Sequence, residues 1–169
     1  METTSLNSCD RPVSSLLAAR ILEDADLIGE LLALVPEGRD AWQPDWPASS
    51  AGNPPFSMTE LAAHLAESLS GVCACLHRLY PGELSHFDGL RQPAAAFPEL
   101  VVAARQGFAL LTDADLTRPL PTVFSPEGAP FLETLLINWK HLLHHGHQLF
   151  LYLKLVGAPV STRHLYRFR

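Results

Sequence analysis

The sequence predicts an all-α fold, a four-helix bundle with long connecting loops. Two observations carry that reading. Four stretches repeat their apolar residues with helical period, and no stretch alternates apolar and polar residues over a useful strand length. Three of the four also open or close on residues that start or stop helices. With 169 residues the chain reads as one domain. A chain of that size buries roughly 70% of its unfolded surface, so it needs no disulfide or metal to fold.

The first helix spans about 12–35. Asp10 or a nearby Ser can cap it, and Pro12 suits a first turn, where its missing N–H costs nothing. Leu16, Leu17, Ile21, Leu27, Ile28, Leu31, Leu32 and Val35 form its apolar face. The second spans about 57–79. Ser57 with Glu60 three residues on makes a capping box, and Pro81-Gly82 ends the helix. The third covers about 98–112, with Gly107 inside it at a cost of about 1 kcal/mol relative to Ala. The fourth spans about 130–156, with Pro130 in its first turn and Gly157 just past its end.

The connections are long for an up-down bundle. The segment 37–56, EGRDAWQPDWPASSAGNPPF, is rich in Pro and carries Trp42 and Trp46, so it reads as a cover packed on one end of the bundle. The segment 113–129 has room for one short extended piece.

Composition narrows the function. Hydrophobic residues make up 47% and charged residues 18%, ordinary for a soluble globular protein. A net charge of −6 argues against a nucleic-acid or anionic-membrane partner, because phosphate contacts need clustered Lys and Arg. Arg163, His164, Arg167 and Arg169 form a cluster too short to reverse that. The N-terminal residues METTSLNSCDRP show no signal peptide, and no apolar run reaches the ~18 residues of a membrane helix, so a cytoplasmic location is expected. Cys9, Cys73 and Cys75 are odd in number and read as free thiols.

The most unusual stretch is KHLLHHGHQLFLYLKLVG, residues 140–157, with four of the eight histidines inside seven positions. At about 100° per residue, His141, His145, Gln148, Tyr152, Asn138 and Thr134 fall on one stripe bordering the apolar face of Leu135, Leu142, Leu149 and Leu153. His147 points to water with Lys140 and Lys154, and His144 sits on the flank. An i, i+4 histidine pair converges on one ion, but such ions take three or four ligands. The second helix supplies a candidate: His64 borders its own core face of Leu61, Leu65, Leu69, Val72, Leu76 and Leu79. Three imidazoles would leave a fourth position for water or substrate, unless His144 closes it.

Other residues on these faces are candidates to orient a ligand or line a pocket: Asn138, Gln148, Ser68 and Tyr152. Glu67, about 60° off the His64 direction, reads as a solvated or inter-helix charge. Cys73 and Cys75 point to opposite sides of a helix and cannot chelate one ion, and His77 and His86 fall away from the stripe. There is no H-E-x-x-H, no paired Glu-x-x-His, no G-x-S-x-G, no P-loop and no dinucleotide fingerprint.

These residues resemble the DinB/YfiT-like family of four-helix bundles, whose last helix carries a pattern close to N-H-x-x-H-H-R-G-Q before an apolar run and a Gly. Here the stretch is K-H-L-L-H-H-G-H-Q, then LFLYLKLVG. The family's second-helix His is matched in FSMTELAAHLAES, and AWQPDWPASS and STRHLYRFR are similar to its loop and tail. The resemblance implies a divalent metal, Zn²⁺ or Ni²⁺, on His64, His141 and His145, with water completing the shell. It also implies a transferase using a low-molecular-weight thiol on a small electrophilic substrate, and a possible homodimer. A metal-dependent hydrolase and a non-catalytic small-molecule-binding or stress-response bundle are the alternatives. One departure stands out: the family's Arg after the double His is Gly146 here.

Overall fold

A computed structural model describes residues 12–45, 54–87, 89, 91–122 and 125–166. Four α-helices dominate it: α1 (Val13–Leu32), α2 (Met58–Leu79), α3 (Phe97–Leu110) and α4 (Phe131–Leu155). Short 3-10 turns precede α3 at Ala94–Ala96, precede the last connection's hairpin at Asp113–Thr117, and close the described chain at Thr162–His164. The segment expected to hold one extended piece holds two. β1 (Pro119–Leu120) and β2 (Ala129–Pro130) pair antiparallel, Pro119 opposite Pro130 and Leu120 opposite Ala129. Pro130 is therefore the last strand residue and the cap position of α4, one step before the first turn predicted for it.

Two of the three long connections have a topological cause. α2 packs on α3 and α4, and α1 packs on the same two helices. The cyclic order is α1, α3, α2, α4, which puts α1 diagonally opposite α2, and α3 opposite α4. Segments 33–57 and 111–130 each join diagonal helices and must cross an end of the bundle, which a tight turn cannot do.

Local chemistry accounts for the helix ends. The predicted capping box is present: Ser57 Oγ accepts from Glu60 N at 3.3 Å and Glu60 Oε2 accepts from Ser57 N at 2.7 Å. α4 ends as its Gly predicted. Gly157 has φ of 77°, its N–H donates to the Lys154 carbonyl at 3.1 Å, and Ala158 N donates to Leu153 at 2.9 Å. That pair of bonds closes the last turn and needs the left-handed residue that Gly supplies at least cost. The start of α1 corrects the sequence reading. Asp10 lies outside the described residues, and Pro12 sits at the cap with no side-chain bond to give. The first free N–H groups are met from far along the chain: Val13 N and Ser14 N donate to the Asp113 carboxylate at 3.2 and 2.8 Å.

One contiguous core runs through the bundle. The apolar face predicted for α2 holds throughout, with Leu61, Leu65, Leu69, Val72 and Leu76 fully buried. Each contributes about 1.5–3 kcal/mol relative to an exposed position. α1 departs at its N-terminal end: Leu16, expected in the core, is 47% exposed. The cost of Gly107 also finds its reason here. A Cβ there would lie 2.8 Å from Leu76 Cδ1, 2.9 Å from Leu76 Cβ and 3.1 Å from Leu84 Cδ1. Only a residue without a side chain lets α3 approach α2 this closely.

A buried carboxylate organises the connection before α4. Asp115 accepts from Thr112 Oγ1 at 2.6 Å, Tyr80 Oη at 2.7 Å, Thr112 N at 3.0 Å and Arg118 at 3.0 Å. Burial alone would push this carboxyl up; the hydrogen bonds from Thr112, Tyr80 and Arg118 outweigh it and hold it well below the ordinary carboxylate range. The Tyr80 phenol is pushed up to about 12 by burial and by the same carboxylate. A carboxyl depressed in the folded state stabilises the fold above its unfolded value of 3.8, and that stability is lost as pH falls through the folded value. Urea unfolding of the wild type should therefore weaken steadily from about pH 4 downward, and Asp115→Ala should show less of that loss while costing about 2–3 kcal/mol at pH 7. Equal acid sensitivity in the variant would refute this assignment. No helix among the described residues is long and apolar enough to cross a membrane.

Candidate metal centre

α2 and α4 lie side by side, and their histidines meet at that seam. His64 stands in the second turn of α2; His141 and His145 stand one turn apart on α4. One ring nitrogen from each lies within 4.8 Å of the others. The ring centroids are 4.9 Å apart for His64 and His141, 4.4 Å for His64 and His145, and 4.7 Å for His141 and His145. Interplanar angles of 77°, 86° and 70° turn the rings edge to face around one point. The angular reading of the sequence chose these three residues, and the structure brings them together.

Hydrogen bonds decide which nitrogen each ring presents. His64 Nδ1 lies 3.2 Å from Glu67 Oε2, and a carboxylate can only accept, so Nδ1 carries the proton. His145 Nδ1 donates to Gln148 Oε1 at 2.9 Å in the same manner, and Gln148 Nε2 donates on to Tyr152 Oη at 2.9 Å. In neutral imidazole, the form that ligates metal, both rings are thereby left with Nε2 as the free donor atom. His141 Nε2 lies 2.9 Å from His64 Nε2, so its N–H donates into that lone pair. Two ligands of one tetrahedral ion at ~2.0–2.1 Å stand about 3.3 Å apart, so an ion could replace this shared proton with a shift of a few tenths of an ångström.

The site is wet on one side. His64 and His145 are half-buried, and His141 is exposed. Burial holds the pKa of His141 and His145 below the usual imidazole value, and the neighbouring histidines push in the same direction; for His145 the bond to Gln148 works against the shift. Neutral imidazole is the form that ligates metal. The donor set, three neutral imidazoles with no thiolate among them, fits a borderline divalent ion.

The described ends of the loop before α2 contribute Phe56 and Trp42 to the surroundings. The Phe56 ring lies 5.0 Å from His64 and 5.9 Å from His145. Trp42 packs edge-on against Tyr152 with centroids 5.3 Å apart, and its carbonyl accepts from Met58 N at 2.8 Å. Trp46 lies outside the described residues. Tyr152 is buried with its ring against Trp42, yet its hydroxyl reaches the site through Gln148. One chain of contacts thus runs from Trp42 through Tyr152 and Gln148 to His145.

Other candidates sit elsewhere. Ser68 donates to its own helix at the His64 carbonyl, 2.7 Å away, and Asn138 donates to the Thr134 carbonyl at 2.8 Å. Each satisfies the carbonyl four residues back instead of orienting an imidazole. His144 is exposed and stands outside the converging set. Glu67 corrects the sequence reading: expected as a solvated or inter-helix charge, it bonds to His64 of its own helix. Its spacing was the available signal, since residues three apart on a helix are neighbours. His77 and His86 pack ring to ring at 5.0 Å, away from the three. Cys73 and Cys75 are buried free thiols, pushed up by burial to about 12 and about 11.

The chain matches no protein-family model and no curated protein. The assignment of the three histidines stands on their convergence and on the hydrogen bonds behind them.

Proposed function

We propose that this chain binds one divalent cation, Zn²⁺ or Ni²⁺, through His64, His141 and His145, and acts as a transferase joining a low-molecular-weight thiol to a small electrophilic substrate. The observation that carries the reading is the convergence of three imidazoles whose outward nitrogens are tied back on two of the three rings. Three ligands with one exposed edge leave room for an exogenous group, the arrangement of catalytic rather than structural sites. The resemblance to DinB/YfiT-like proteins points the same way, with the same three positions as ligands.

A bound divalent ion would supply the positive charge that favours thiolate over thiol. The protein's own residues do the rest. His64 and His145 hold fixed ring orientations, His141 forms the solvent-facing edge, and Phe56 shields the side toward the loop. Among the described residues no thiol can serve as the nucleophile, because Cys73 and Cys75 are buried and stay protonated at neutral pH, so an exogenous thiol supplies it. In the transfer the thiol proton passes to water, the sulfur electron pair forms a C–S bond, and the leaving group departs with the electrons of the bond that breaks.

Metal analysis by mass spectrometry on protein purified without a histidine tag tests the reading. About one ion per chain is expected. Thiol consumption with small electrophiles should then require the ion and persist in Cys73→Ser and Cys75→Ser. No ion after dialysis against Zn²⁺ or Ni²⁺ would overturn it. An ion that supports ester hydrolysis without thiol consumption would replace the transferase by a hydrolase.

A further inference from the structure

Each of the three histidines has a different residue three places after it. His64 is followed by Glu67, His141 by His144 and His145 by Gln148. Glu67 and Gln148 bond to Nδ1 of the ring that precedes them, at 3.2 and 2.9 Å. His144 makes no such bond, and no partner for His141 Nδ1 is found among the described residues. The same helical spacing thus holds Nδ1 of one ring by a charged group and of another by a neutral amide, and gives Nδ1 of the third, exposed ring no partner among the described residues.

The difference in charge has a consequence for an ion. Three neutral imidazoles leave a divalent cation with its full charge. Glu67 is the one carboxylate in contact with any of the three rings among the described residues. Its side chain is one-third exposed, so its field is only partly screened by solvent. An imidazole that donates to a carboxylate is also a stronger ligand than one that donates to an amide.

We propose that Glu67 is a positioning residue of the metal centre: it holds His64 with Nε2 toward the ion, and its charge tightens ion binding. This rests on the three-histidine reading above. Glu67 has no direct part in the chemistry, since its carboxylate bonds Nδ1 of His64 while His141 meets the same ring at Nε2.

Competition titration of Zn²⁺ against a chromophoric chelator tests it with wild type, Glu67→Gln and Glu67→Ala. Glu67→Gln keeps an accepting oxygen and removes the charge; Glu67→Ala removes both. Zn²⁺ binding is expected to weaken about 10- to 100-fold in Glu67→Ala, with Glu67→Gln between it and wild type. The thermal midpoint of the ion-free protein should stay unchanged in Glu67→Gln, which separates this role from a structural one. In ion-free wild type, ¹⁵N spectra should show His64 protonated at Nδ1, and Glu67→Ala should lose that preference. Zn²⁺ bound equally by wild type and both variants, or His64 protonated at Nε2 in wild type, would overturn the role of Glu67 alone. A wild type that binds no Zn²⁺ would overturn the three-histidine reading and this proposal with it.

Discussion

Replacing any one of His64, His141 or His145 by alanine is expected to weaken Zn²⁺ binding by more than ~100-fold, beyond what loss of an outer-shell partner costs. An ion held by three protein ligands has no reserve: with two left, the pair offers no more than a flexible surface chelate. Linkage makes the effect visible in stability. An ion at 100 times its Kd stabilises the native state by about 2.7 kcal/mol, which for a chain of this size raises the Tm by roughly 5–11 °C. That ion-dependent rise should vanish in all three variants. The ion-free proteins should differ little in stability, since these side chains are half-buried or exposed. His144→Ala and His77→Ala should keep the full rise. Differential scanning fluorimetry with and without Zn²⁺ decides the matter, and a rise retained in His141→Ala would remove that residue from the site.

Gly146→Arg is expected to destabilise the fold by at least ~3 kcal/mol or to prevent soluble expression. Gly146 is buried in the contact between α4 and α1, and even a Cβ there would lie 2.8 Å from both Cδ1 and Cγ1 of Ile28. The adjoining half-open cleft of about 20 Å³, lined by Asp24, His147 and His164 among others, leaves little room for an added side chain. Gly146→Ala should cost less, about 1–3 kcal/mol, because only Cγ1 and Cδ1 of the β-branched, buried Ile28 must give way. In an Ile28→Ala background those atoms are gone, and Gly146→Ala should become neutral or stabilising. Urea denaturation of the four proteins forms the cycle; additive effects would show that Ile28 is not what excludes a side chain. What excludes a side chain at position 146 is therefore the packing of α4 on α1.

The histidine site was legible because its parts are local on each helix. The i, i+4 spacing of His141 and His145 and the edge position of His64 follow from helical geometry once the helices are placed. The same geometry misled for Ser68 and Asn138. A wheel gives the direction of a Cβ, while a short polar side chain bends back to the carbonyl four residues earlier. It misled in the opposite sense for Glu67, whose longer side chain reaches around the helix to a ring its Cβ does not face.

By itself the sequence determined the four helices to within a few residues, the capping box at Ser57, the end of α4 at Gly157, and which histidines could face one another. These depend on residues within two turns of each other, so hydrogen-bond chemistry and periodicity suffice. Only the tertiary structure decided that α1 lies diagonal to α2, that Asp113 caps a helix about a hundred residues before it, and that Gly107 and Gly146 mark close approaches. It also decided that the imidazoles of two helices converge with two of their outer nitrogens held. The physical reason is shared: each of these depends on the distance between segments far apart in the chain, and that distance exists only after the core of the bundle has packed.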